Sequence, residues 1–209
     1  VVLVAKSGRI IYNKAFGHHK YDSIQPLKNS DIFDLASVTK ITSTVSVLMK
    51  LHDEGKFSLD STLGDYLPDI VDSTEYRDVV IRKMLSHQAG FVAWITFFLT
   101  TMKDGKLKKE FYRNVPSDSF SVRVADSLYI INSYRDSIFK EITKTSLLKQ
   151  RKYLYSDVGY YFLHEYIERT VKMPISDYVD SVFFSTLGTR TLVFNPRKKF
   201  PLNKIVPTE

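Results

Sequence analysis

From Tyr155 to Met173 the chain reads YSDVGYYFLHEYIERTVKM. Val158, Phe162, Tyr166 and Ile167 recur there at the 3.6-residue period of an α-helix and form one inner face. A helix with such a face has to lay it on a core, so the chain must build layers around apolar side chains. With 209 residues, 44% of them hydrophobic and 25% charged, there is enough material for one substantial core in a globular protein.

Other stretches supply the remaining elements. At the start, Val2 and Val4 alternate with Leu3 and Ala5, the turn KSGR follows, and IIYNKAF comes next, which predicts a β-hairpin turning at Ser7-Gly8. A polar connector leads to DLASVTKITSTVSVLMKLHDEG, residues 34–55, where Val38, Ile41, Val45, Leu48 and Leu51 or His52 predict a helix with that stripe inward and a stop at Gly55. SLDSTLGDYLPDI predicts a loop with a single helical turn closed by Pro68, and VVIRKMLSHQAG a short helix ending at Gly90. Between 101 and 134 the pattern is weak, and SVRVADSLYI fits a strand or a helix. RDSIFKEITKTSLL predicts a helix, and Pro174 opens another in PISDYVDSVFFSTLG. After Gly188 the sequence turns irregular, and its ending at NKIVPTE reads as an interruption.

Several function classes drop out. The chain has no cysteine, which excludes disulfides, thiolate metal sites and cysteine nucleophiles. Its longest apolar run, FVAWITFFLT at 91–100, is about half of what a bilayer-spanning helix needs, so it is expected to be buried or to line a pocket, with no transmembrane segment in the chain. The net charge of +7 suits an anionic partner, but only KDGKLKKEFYR at 103–113 and RKK at 197–199 are local clusters. No nucleic-acid module surrounds either, so both read as solvated faces and no nucleic-acid partner is expected. The opening residues show neither an initiating Met nor the regions of a secretory leader, so any targeting segment is expected upstream.

Chemistry is suggested by two pairs. Ser37 and Lys40 stand three apart at the head of a predicted helix, a spacing that lets the amine reach the hydroxyl. Burial and the positive end of the helix dipole both disfavour charge on a lysine there, the direction a proton acceptor requires, and the same field favours a serine alkoxide. On spacing alone, however, a serine at a helix start is more often a cap. Tyr155 and Asp157 form the second pair, two residues apart at the start of the strongest helix, where a tyrosine near an ammonium can relay protons and an acid can hold a lysine or a substrate N–H. His87, in LSHQAG, reads as a brace for the loop after its helix rather than as a base. No metal, nucleotide or flavin signature occurs, and a lysine-assisted serine requires no cofactor.

FDLASVTK with its helix, LDSTLGDYLPD, VVIRKMLSHQAGF and YLYSDVGYYFLHEYIE stand in the order found in serine β-lactamase-like proteins. Over residues 1 to about 190 the chain resembles that family of class C β-lactamases, penicillin-binding DD-peptidases and related esterases. LSHQAGFVAWITFF and the polar insertion before KYLYSD bring it nearest to the β-lactamase-like domains attached to glycoside hydrolases in exported bacterial cell-wall proteins. The resemblance implies an α+β, β-lactamase/transpeptidase-like fold in one partial domain over 1–209: a hairpin at 1–17 from an incomplete antiparallel sheet, and a helical region over about 31–190. It makes Ser37 the acylated nucleophile, Lys40 its base or tuning residue, Tyr155 the proton shuttle, and Asp157 the third residue of a Tyr-x-Asn motif. An acid at that last place departs from the class C pattern and puts β-lactam turnover in doubt. The implied substrates are a small molecule or a peptidoglycan peptide, in the periplasm or elsewhere outside the cytoplasm, and a covalently linked upstream domain is compatible with the resemblance.

A third family motif, a Lys-Thr-Gly or His-x-Gly strand that supplies the second oxyanion-hole N–H, has no counterpart after Asp157; STLGTR at 185–190 carries a glycine without the preceding basic residue. Without those C-terminal strands the hairpin is expected to show an unpaired edge, and these 209 residues are expected to be inactive or nearly so by themselves. The rival reading, from another class, is a catalytically silent module that binds wall peptides or a partner domain.

Overall fold

In the computed structural model, which describes residues 1–208, Val2–Lys6 (β1) and Arg9–Lys14 (β2) form the expected antiparallel hairpin. Ser7 and Gly8 both take positive φ, 47° and 75°, the conformation of a two-residue turn matched to strand twist. The two strands make a sheet of their own, and every residue in them is exposed. Neither long edge of the hairpin is paired by another strand among the described residues.

The chain divides into two compact units, Val1–Val47 together with the residues from Val171 on, and Leu48–Thr170. In the first unit a π-helical stretch, Lys40–Val45, leads into the helix Ser46–Asp53 (α1), which from Leu48 on belongs to the second unit. Ile175–Val179 (α8) packs on that stretch, and Ile175, Val179, Phe184, Ser43, Thr44 and Val47 are buried. The expected stripe is corrected here. Val38 and Ile41 are 50% and 65% exposed, while Ser43 and Thr44 are buried in their place. The wider π-helical turn rotates the side chains away from the 3.6-residue registration that the stripe assumed. Gly55, at φ 70°, ends the helix as expected, with the Lys56 N–H bonded back to the Leu51 carbonyl. Beyond Gly188 two short 3₁₀ turns occur, and Ile205 pairs with Ile32 in an isolated bridge.

In the second unit, single helical turns run over Leu63–Tyr66 (α2) and Pro68–Val71 (α3). Pro68 therefore opens a second turn rather than closing the first, at the position where its missing N–H is not needed. The helix Ile81–Leu85 (α4) stops well before Gly90, because His87 itself takes the left-handed conformation, φ 57°. The apolar run at 91–100 is buried at Phe91 and Phe97, whereas Trp94, Phe98 and Leu99 are exposed, so its burial is partial. A one-turn helix, Phe97–Thr100 (α5), precedes a minimal hairpin, Met102–Lys103 (β3) with Lys106–Leu107 (β4). Tyr112–Arg113 (β5), Val122–Ala125 (β6) and Leu128–Ile130 (β7) then form an antiparallel sheet of order β5-β7-β6, so SVRVADSLYI is strand.

Tyr134–Lys144 (α6) and Val158–Val171 (α7) complete this unit's frame. All four expected inner-face residues of α7 are buried. Phe162 is the hub: its ring lies 5.8 Å from Tyr76, 5.6 Å from Phe139 and 6.3 Å from Phe91. Gly159 lets α7 approach Met84 and Phe91, since a β-carbon there would stand 2.5 Å from Met84 Cγ. Helices and small antiparallel sheets make an α+β chain, as expected.

Candidate active site

The Ser37 corner belongs to the first unit and is built by its own turn residues. Asp34 Oδ1 accepts the Ala36 N–H at 2.8 Å, and Ala36 takes a left-handed φ of 44°. From there each N–H of Val38, Thr39 and Lys40 bonds to the carbonyl three residues back, and the chain winds into the π-helical stretch. That winding places residues 37 and 40 on one side, and Lys40 Nζ donates to Ser37 Oγ at 2.8 Å. Ser37 is exposed and Lys40 half-buried, so the burial expected of the pair is only partly realised. Thr39 precedes the π-helical stretch without a side-chain cap bond. The amine nitrogen and the hydroxyl oxygen are thus in contact, the proximity a lysine-assisted nucleophile needs, and transfer of the proton to Lys40 requires that nitrogen uncharged.

Tyr155 and Asp157 belong to the second unit, on the turn that opens α7. The segment is fastened to residues 87–93 at each step. The Leu154 N–H bonds to the His87 carbonyl at 2.9 Å, the Ser156 N–H to His87 Nδ1 at 3.2 Å, and the Asp157 N–H to the Ala93 carbonyl at 2.9 Å. Ser156 Oγ donates to the Val92 carbonyl at 2.7 Å and accepts the Val158 N–H at 3.1 Å, capping α7. Tyr155 is 42% exposed, with its ring centroid 4.5 Å from that of His87.

Sequence reasoning passed over Ser156, although a serine just ahead of a strong helical stripe is a cap signal. The sequence reading has His87 brace the loop after its own helix; the bonds it makes here hold the Tyr155–Asp157 turn, far along the chain. No group of three histidine, aspartate or glutamate side chains suited to a metal ion occurs among the described residues.

The family model described as Beta-lactamase matches residues 1–204. A Salmonella agona protein, provisionally named a D-alanyl-D-alanine carboxypeptidase, is 32% identical over 223 residues that include all of this chain and 46% of that protein. The chain therefore spans under half the length of the curated relatives it matches. Among solved structures, the octameric penicillin-binding protein homologue of Pyrococcus abyssi superposes with a TM-score of 0.68 at 19% identity, over 98% of this chain and 42% of its own. A class C beta lactamase of Rhodobacter sphaeroides gives 0.60 at 19% identity, over 94% and 47%. At such identities these likenesses speak for the fold alone.

Proposed function

This chain belongs to the Beta-lactamase family, and on that premise we propose that it carries the nucleophile of a serine hydrolase that opens amide or ester bonds through an acyl-enzyme on Ser37. The supporting observation is the 2.8 Å hydrogen bond from Lys40 Nζ to Ser37 Oγ. In this reading Ser37 Oγ attacks the substrate carbonyl while Lys40 takes its proton. Collapse of the tetrahedral intermediate expels the leaving group, which Tyr155 protonates, and leaves an ester on Ser37. Water then attacks that ester, giving up a proton to the Tyr155 phenolate, and the carboxylic acid leaves as Ser37 Oγ takes back the proton held on Lys40. Asp157 is assigned to the substrate's amide N–H.

The substrate class favoured is the D-alanyl end of a peptidoglycan stem, over β-lactams and small esters. A relative named for D-alanyl-D-alanine carboxypeptidase activity and an acid at position 157 both support it. Such a substrate places the protein's work outside the cytoplasm. Among the described residues, no helix is long and apolar enough to cross a membrane.

Labelling of the complete protein with a fluorescent penicillin, beside its Ser37→Ala and Lys40→Ala forms, tests the assignment. The expected outcome is no covalent label on Ser37→Ala and a labelling rate reduced about 10²- to 10⁴-fold in Lys40→Ala. Equal labelling of Ser37→Ala would remove the nucleophile assignment. A complete protein that neither labels nor cleaves a D-alanyl-D-alanine peptide would support the silent binding module instead.

A further inference from the structure

Three successive residues of the Tyr155 turn meet one side chain and its own backbone. His87 accepts the Leu154 N–H at its carbonyl and the Ser156 N–H at Nδ1, so its two bonds flank Tyr155 in sequence. Its ring lies against Tyr155, at 4.5 Å between centroids, and is bordered by Tyr153 and Tyr160, each at 6.0 Å. Ser156 is buried, so its N–H depends on a protein acceptor rather than on water. A ring nitrogen that accepts carries no hydrogen, which puts the imidazole proton on Nε2 and requires neutral His87.

His87 does this from a left-handed backbone, φ 57°, a region that asparagine and glycine occupy more readily. Ending α4 would be served as well by glycine. The imidazole adds what glycine lacks, an acceptor aimed at the neighbouring turn. Tyr155 is 42% exposed, and the backbone on either side of it is the part that His87 holds.

Resting on the reading of Tyr155 as the proton shuttle, we propose that His87 is a positioning residue that sets the conformation of the Tyr155–Asp157 turn through its neutral Nδ1 acceptor. The side chain touches no reacting atom in this scheme; it fixes the phenol that does. Misplacement of a reacting group by about 1 Å can cost on the order of 10²-fold in rate.

Two variants of the complete protein separate the acceptor from the backbone conformation. His87→Gly keeps the left-handed turn without steric cost and deletes the acceptor; His87→Asn tolerates the same φ and offers an amide oxygen near the place of Nδ1. The readouts are the imidazole tautomer by nitrogen NMR, hydrogen exchange at the Ser156 amide, and the rate of labelling by a fluorescent penicillin. Expected are the Nε2–H tautomer, a Ser156 amide that loses protection in His87→Gly but not in His87→Asn, and labelling slowed about 10- to 100-fold in the glycine form and restored in the asparagine form. An Nδ1–H tautomer overturns the proposal. So does a glycine variant that labels at the wild-type rate, or an asparagine variant as slow as the glycine one. In a protein that takes no label at all, the reading of Ser37 falls, and exchange at Ser156 still decides for or against the His87 lock.

Discussion

Helix α7 and the β1–β2 hairpin are comparably apolar, yet they end in opposite environments. Val158, Phe162, Leu163 and Ile167 of α7 are all at most 1% exposed, whereas Leu3, Ile10 and Ile11 of the hairpin are 55%, 63% and 63% exposed. The helix carries its apolar residues on one stripe, and the second unit closes around it with Tyr76, Phe91 and Phe139. The hairpin carries them on both faces, the pattern of strands covered from two sides, and among the described residues it has one sheet partner, itself. A lone two-stranded ribbon is marginal in water. The contrast teaches that the apolar stripe of α7 supports the second unit through burial, while the apolar side chains of the hairpin contribute little as they stand.

The sharpest way to break that contrast is to truncate one apolar side chain in each place. Phe162→Ala empties the hub of the second unit and is expected to cost about 3–5 kcal/mol. Ile11→Ala, on a strand already in solvent, is expected to change stability by less than about 0.5 kcal/mol. Urea unfolding followed by circular dichroism reads both, and losses of similar size would show that the hairpin is buried after all.

A smaller effect probes the close approach that makes the hub possible. In Gly159→Ala the new methyl meets Met84 Cγ at 2.5 Å and Phe91 Cε2 at 3.1 Å. Met84 can shift, but Phe91 is stacked on Tyr76 at 5.4 Å and gives less readily. Overpacking outweighs the gain in helix propensity, for a net loss of about 1–2 kcal/mol. A melting temperature equal to or above that of the wild type would mean that α7 has slack there.

Legibility followed the same divide. α7 could be read because its buried residues, Glu165 excepted, are apolar and follow the helical period, and its Tyr155–Asp157 turn came with it. The first helix misled because Ser43 and Thr44 are buried while Val38 and Ile41 face solvent, and polarity does not announce a π-helical turn. Strands of two to four residues between 102 and 130 are too short to establish a period of two. At the candidate site, the three-residue spacing allowed contact between Ser37 and Lys40 but did not single it out from a helix cap; the resemblance did that. The bond from Ser156 to His87 was not legible, because 69 residues separate them and neither local pattern refers to the other.

The smallest effect expected separates the two units by their response to acid. In the first unit, His19 Nε2 and Asp31 Oδ2 lie 2.9 Å apart with both side chains buried. Burial alone would raise the Asp31 carboxyl, but the Lys28 N–H and His19 outweigh it and hold its pKa below the usual value. A carboxyl lowered by folding keeps its contribution above the ordinary carboxylate range and loses it only as pH falls further. In the second unit, burial pushes His164 below the usual histidine value, against the opposing pull of Glu168 at 3.4 Å. The unfolded chain then binds this proton before the folded one does, so stability falls as pH drops from about 6.5 through the depressed value. Between about pH 7 and 5.5 the second unit is therefore expected to weaken through His164, while Asp31 leaves the first unit unchanged. Because the His164 side chain is 43% exposed, solvent screening should keep the change under about 0.5 kcal/mol. Amide exchange across that interval reads α7 and the segment around Asp31 separately, and His164→Gln should flatten the slope in α7. If that slope survives the substitution, the acid response of the second unit has another source, and this charge-based distinction between the units fails.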